Sequence, residues 1–287
     1  MTLSQPSSIS EPAAAQSSTA AVSRTPAWYR PIFSPEHGVY VMLVVSFLTG
    51  LAASQQCKLA SVLAFISAFS GFQAEHPFVL QIKQRSSWKP RFLVWGGIYA
   101  GVSLGLAGYL YLQAPVLLWV YLSAIVAFAI DAIAVFYRRQ KSFVNELLTF
   151  AAVCLAAPLA YIATTGTWAV SVLGLWLLNT LFFSSAIFTV KLRKPKTASV
   201  VPGLMYHAIA SGIVGTLWYV GWLASVPALA FGVVLLKFGW ILLRREWYRA
   251  APIQQVAMLE TLTALVFLAI VAVSLLPTHL AHVHGVG

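Results

Sequence analysis

The sequence predicts an all-α protein, a polytopic transmembrane helical bundle of about nine spans with its N-terminus cytoplasmic and its C-terminus outside. Three observations predict it. Charged residues make up 9% of the 287, where a soluble domain carries about a quarter. Hydrophobic residues make up 60% and fall in runs of the length that crosses a bilayer as helix, roughly 17–25 residues. The cations gather in alternate connections between those runs, the pattern that orients membrane proteins. Such a composition excludes a water-soluble enzyme, a disordered protein and a nucleic-acid binder.

Residues 1–27 are rich in Ser, Ala, Thr, Gln and Pro and contain no sustained apolar run. They lack the pattern of a signal peptide and offer too little apolar surface to offset the entropy of ordering, so a disordered tail is expected. Trp28, Tyr29 and Arg30 then read as an interfacial anchor. A transmembrane domain is expected over 28–277, with spans near 38–54, 57–80, 92–111, 115–136, 145–163, 168–190, 203–222, 224–243 and 253–276. The second is interrupted near its end by QAEHP (73–77), and a turn near Ala224–Pro227 separates the seventh from the eighth. Strand alternation is absent, so helices must satisfy the backbone in lipid. A short tail, 278–287, carries His279, His282 and His284, to which no role is assigned.

The basic residues orient the chain. Arg24 and Arg30 precede span one; Lys83, Arg85, Lys89 and Arg91 follow span two; Arg138, Arg139 and Lys141 follow span four. Lys191, Arg193, Lys194 and Lys196 follow span six, and Arg244, Arg245 and Arg249 follow span eight, which puts 16 of 18 cations on one side. That side is expected to be cytoplasmic. The formal charge of +11 is therefore a topology signal and needs no polyanionic partner.

Acids are scarce, seven in all, and five of them (Glu36, Glu75, Asp131, Glu146 and Glu260) sit within spans or at their ends. At about 1.5 Å per residue, Asp131 lies roughly 10 Å along its helix from Arg138, and Lys237 roughly 10 Å from Arg244. His37, His76 and His207 occupy the same level of other spans. A charge inside a bilayer costs about 2.5–3.5 kcal/mol even on the lenient insertion scales, so such groups face a cavity or one another. The expectation is a polar chamber opening to the cytoplasmic leaflet.

Each residue also has a plainer reading. Ser34-Pro35-Glu36 reads as an N-cap, a proline at the first helical position and an acid in the first turn. Asn145-Glu146 reads as a helix start after Ser142. Glu75 and His76 read as snorkelling groups on a helix kinked by Pro77. Lys237 reads as the partner of Asp131 or Glu260, and His207 as a hydrogen-bonded packing residue. Carboxylate and imidazole donors also suit a divalent metal, with Glu75, His76 and His207 as candidates. No ExxH or HxxxH spacing places two ligands on one helical face, however, and the metal signal is weak. Cys57 and Cys154 form no pair or cluster motif and read as buried thiols.

PEHG (35–38) before the first span and RRQKSFVNELL (138–148) before the fifth resemble the YwiC-like family of uncharacterised bacterial membrane proteins. That resemblance implies a multi-pass protein of the bacterial inner (plasma) membrane, or of a thylakoid membrane in a photosynthetic source. Tyr137 and Lys141 are similar in position and spacing to a Tyr-x-x-x-Lys element of the UbiA superfamily of intramembrane prenyltransferases, which implies a UbiA-like architecture of nine helices around a central cavity on the cytoplasmic side. In that superfamily, aspartate-rich motifs hold Mg²⁺ against a prenyl diphosphate. The corresponding stretches here, QAEHPFVLQ (73–81) and SSAIFTVKLRK (184–194), retain only Glu75, so the diphosphate site does not carry over.

Three functions fit these readings. In the first, a cytoplasmic-leaflet cavity binds or modifies an isoprenoid or quinone-type lipid, and Lys83, Lys141, Lys191, Arg193 and Lys194 are available to a phosphate. The second is a proton- or ion-coupled transporter, and the third a non-enzymatic assembly protein. The candidate ligand-binding set is Glu36, His37, Glu75, His76, Asp131, Tyr137, Lys141, Asn145, Glu146, His207, Lys237 and Glu260. The partners expected are the lipid bilayer and an amphipathic ligand, with no nucleic acid.

Overall fold

The computed structural model describes residues 29–84, 87–194 and 199–276. The tails expected at 1–27 and 278–287, together with Trp28, Arg85 and Lys196, lie outside the described residues. Helices stand at every predicted span: α1 (His37–Ser54), α2 (Leu59–Lys83), α3 (Pro90–Gln113), α4 (Leu117–Phe136), α5 (Phe143–Cys154) with α6 (Ala156–Thr165), α7 (Val170–Lys191), α8 (Val201–Tyr219), α9 (Ser225–Ala230) with α10 (Gly232–Leu243), and α12 (Ile253–Leu275). A short helix, α11 (Arg245–Ala250), connects α10 to α12. No strand occurs among the described residues.

Seven of these segments are long and apolar enough to cross a membrane: α1, α3, α4, α5–α6, α7, α9–α10 and α12. The other two expected spans, α2 and α8, have 25 and 19 residues. They are more polar, because α2 carries Gln73, Glu75, His76 and Gln81, and α8 carries His207 and Ser211. QAEHP does not end α2, which runs through Pro77 to Lys83.

Local chemistry sets the breaks. Pro158 has no N–H to give the carbonyl four residues back, and the fifth span divides into α5 and α6 at Leu155. Arg138 takes the left-handed conformation (φ 58°), and the Arg139 N–H reaches back to the Ala134 carbonyl at 2.7 Å, closing α4. Ser142 then caps α5, its Oγ accepting the Asn145 N–H, as the sequence predicts. The start of α1 departs from expectation. The helix begins at His37 with Glu36 at the N-cap, and Ser34 and Pro35 precede it. Ser34 Oγ accepts the Glu36 N–H at 3.4 Å, one position short of the helix, while Gln73 holds the segment: its Oε1 accepts the Ser34 N–H at 3.1 Å and its Nε2 donates to Tyr40 Oη at 2.7 Å.

Among the described residues there are two large apolar cores and a smaller third around Phe238, Ile241 and Tyr248. One joins α1, α2, α4 and α6 with the end of α3 around Leu43, Phe47, Leu110, Leu117 and Ile162. The other joins α1, α7, α8, α10 and α12 around Leu178, Phe182, Val234 and Phe267. Small and polar residues bind the helices where apolar burial gives little drive in lipid. A Cβ on Gly50 would stand 2.0 Å from the Ala157 carbonyl oxygen, so α1 and α6 touch backbone to backbone. Asn179 Nδ2 donates to Thr49 Oγ1 at 3.0 Å, tying α7 to α1.

Candidate functional site

Between α2, α3, α4 and the α5–α6 pair lies a cavity of about 490 Å³. Leu118 at one end and Asp131 at the other are thirteen residues apart on α4, so the cavity is a slot about 20 Å long. Its walls are mostly apolar, among them Leu43, Phe72, Leu104, Ile125, Phe128, Val153 and Leu159. Leu104, Ile125 and Phe128 are also 65%, 56% and 41% exposed on the bundle surface, so the slot opens sideways at α3 and α4. Ser67 and Ser103 bridge its α2–α3 wall reciprocally, each hydroxyl donating to the other's backbone carbonyl at 2.9–3.0 Å.

Glu75 and Asp131 line one end of the slot. Asp131 Oδ1 accepts a 2.6 Å hydrogen bond from Asn145 Nδ2, which also donates to the Gln140 carbonyl at 3.2 Å. Glu75 is half-buried and has no hydrogen bond or ion pair among the described residues. The charges acting on it are those of Asp131 and Glu36, both acidic. His76, the next residue, feels Glu36 and Lys83. Among the described residues no cation pairs with Glu75 or Asp131. Tyr121 lines the slot nearer its other end, its hydroxyl buried without a partner among the described residues.

The remaining predicted residues fall elsewhere. Glu146 pairs with Lys191 at 2.9 Å, both side chains about 30% exposed. Lys237, at 1% side-chain exposure, pairs with Glu260 at 2.8 Å and donates to Ser185 Oγ at 3.2 Å, while Thr189 donates to the other Glu260 oxygen at 3.4 Å. This is the internal ion pair that the sequence allows. His207 is a packing residue: Nδ1 meets the Gly203 carbonyl at 2.7 Å and the ring stacks on Phe238 at 4.0 Å, leaving Nε2 buried without a partner among the described residues. Glu36, His37, Tyr137 and Lys141 are exposed. Tyr137 borders a second cavity of about 550 Å³ together with Arg139, Ser142 and Asn145. Beyond the ion pair, Tyr248 on α11 is buried, and burial pushes its phenol up to about 12.

Among the described residues no three His, Cys, Asp or Glu side chains come together to hold a metal, so Glu75, His76 and His207 do not form a three-ligand cluster there. Cys154 is buried, as expected of an inert thiol, whereas Cys57 is exposed. Sequence reading missed Tyr121, Ser67 and Ser103. Their signal was a polar group inside an apolar span, but which face each helix turns to the slot is a tertiary fact.

Long apolar helices, paired interior charges and backbone contact at glycine define a polytopic helical membrane protein. Residues 33–161 match the model of the family described as YwiC-like protein. The matched stretch contains both sequence motifs and every residue that lines the slot; the Lys237–Glu260 pair lies outside it. No curated protein and no solved structure matches the chain.

Proposed function

We propose that this membrane protein binds an amphipathic lipid of the isoprenoid or quinone type in the slot, with the tail along the apolar walls and the head at Glu75 and Asp131. The slot carries the reading. Its volume is within the range of ligand sites, roughly 300–1,000 Å³; its walls are apolar, and two carboxylates stand at one end. A sideways opening suits a ligand that arrives through the bilayer. In the orientation predicted from the loop cations, the carboxylate end lies in the cytoplasmic third, and the family resemblance supports the bacterial inner membrane as the location.

Binding is favoured over prenyl transfer from a diphosphate. In the 184–194 stretch, Ser184, Ser185 and Thr189 are buried in the α7 core and none lines the slot. Lys191 is committed to Glu146, and Arg193 donates to the Ala251 carbonyl.

Mass spectrometry of lipid retained by the protein in native-membrane nanodiscs tests the reading. The expected result is an isoprenoid-tailed species enriched over the bulk membrane and lost in Gly108→Trp, since Gly108 lines the slot and a Cβ there meets open space. Only bulk phospholipid, unchanged by Gly108→Trp and Glu75→Gln, would overturn it.

A further inference from the structure

At the end of α7 two arginines clasp the chain around α11. Arg193 donates to the Ala251 carbonyl and lies over the Tyr248 ring at 5.8 Å, while Arg249 Nε donates to the Leu192 carbonyl at 3.2 Å. Each arginine thus binds backbone within two residues of the other, and both guanidinium groups are held in place before anything else arrives. Arg193 is half-buried and positions the corner; Arg249 is exposed. Lys194 and Arg244 are exposed as well, and Arg245 shares a face of α11 with Arg249, four residues on. The acids nearby are Glu246, exposed on α11, and Glu260, which Lys237 neutralises. Trp240 and Trp247, 40% and 42% exposed, meet edge to face at 5.0 Å beside the corner, aromatics of the kind that sit at headgroup depth.

We propose that this corner binds the head of an anionic phospholipid, with the Arg249 fork on the phosphate and Lys194, Arg244 and Arg245 supplying the surrounding charge. Loose loop cations draw anionic lipid by charge alone. A guanidinium fixed through Nε is different, because its two outer nitrogens meet two phosphate oxygens with little freedom left to lose. Net charge of the head then decides between lipids. Phosphatidylcholine brings the same phosphate with a quaternary ammonium attached, which a corner rich in arginine repels; phosphatidylglycerol brings the phosphate without it. Inorganic phosphate offers the same oxygens and no tail. The lipid is favoured because Leu236, Trp240 and Leu243 share a face of α10, all exposed, and form an apolar lane that leads the tails up to the corner.

Native mass spectrometry of the full chain, released from nanodiscs of phosphatidylcholine and phosphatidylglycerol in equal parts, tests this. The expected result is phosphatidylglycerol retained at least about tenfold over phosphatidylcholine, equivalent to about 1.4 kcal/mol. The preference should vanish in Arg249→Gln and persist in Arg139→Gln, which removes the same charge from the connection between α4 and α5. Should Arg249→Gln not accumulate, Arg249→Lys keeps the charge and loses the fork, and the preference should fall at least about threefold. Added inorganic phosphate should leave the lipid in place. Equal retention of the two lipids, or an equal loss in the Arg249 and Arg139 variants, overturns the proposal in favour of a diffuse positive surface. Displacement of the lipid by inorganic phosphate overturns it in favour of a free-anion site. The corner shares no residue with the slot, so the two readings stand or fall separately.

Discussion

Glu75 and Glu260 are both glutamates inside the helical bundle, and they meet the cost of burial in opposite ways. Glu260 is closed: Lys237 stands 2.8 Å away, Thr189 donates to its other oxygen, and the aromatic ring of Phe182 lies 5.8 Å from the ammonium. Glu75 is open, with the like charges of Asp131 and Glu36 acting on it and its side chain lining the slot. The contrast separates two uses of a membrane carboxylate. A charge that the fold itself neutralises holds helices together, whereas a charge left facing a cavity is available to something from outside.

The comparison can be broken most directly at the ion pair. Glu260→Gln strands Lys237 in the core and should lower stability by about 3 kcal/mol, the cost of an uncompensated buried charge. The double variant Lys237→Met/Glu260→Gln should recover most of that loss, which thermal unfolding in detergent would read. If the single variant unfolds like the native chain, the pair is not structural. Next in size, Asn145→Ala removes the donor to Asp131 and should cost about 1.5–3 kcal/mol, the scale of a hydrogen bond to a charged group. In Gly50→Ala the added carbon meets the Ala157 carbonyl; forcing α1 from α6 should cost about 1–3 kcal/mol. Glu146→Gln, on a half-exposed pair, should cost under about 1 kcal/mol. Glu75→Gln should cost nothing in stability, because no bond is lost and an unpartnered charge is removed. A clear loss of melting temperature there would show that Glu75 is a structural residue after all.

Much of the fold was legible because the bilayer simplifies the problem. Apolar runs had to be helices, and Ser142 announced the start of α5 by its capping chemistry. What sequence could not supply was the lateral order of the helices. Five interior or near-interior acids looked like one chamber from their common depth, yet depth says nothing of direction around each helix axis. Glu146 turns to α7, Glu260 to α10, and only Glu75 and Asp131 face the slot. Ser34 shows the same limit: its hydroxyl does meet the Glu36 N–H, but the helix starts two residues later than its cap suggested, and the contact of its backbone with Gln73, thirty-nine residues away, is a tertiary fact.

The Asp131–Asn145 bond has a consequence for the turn between α4 and α5. Asp131 borders the slot, and Asn145 borders the cavity that holds Tyr137, Arg139 and Ser142. The Asn145 carboxamide donates to Asp131 at 2.6 Å and to the Gln140 carbonyl at 3.2 Å, so one side chain fastens the turn between α4 and α5 both to the helix before it and to its own backbone. A change at Asn145 in the outer cavity is therefore felt at the slot wall through Asp131.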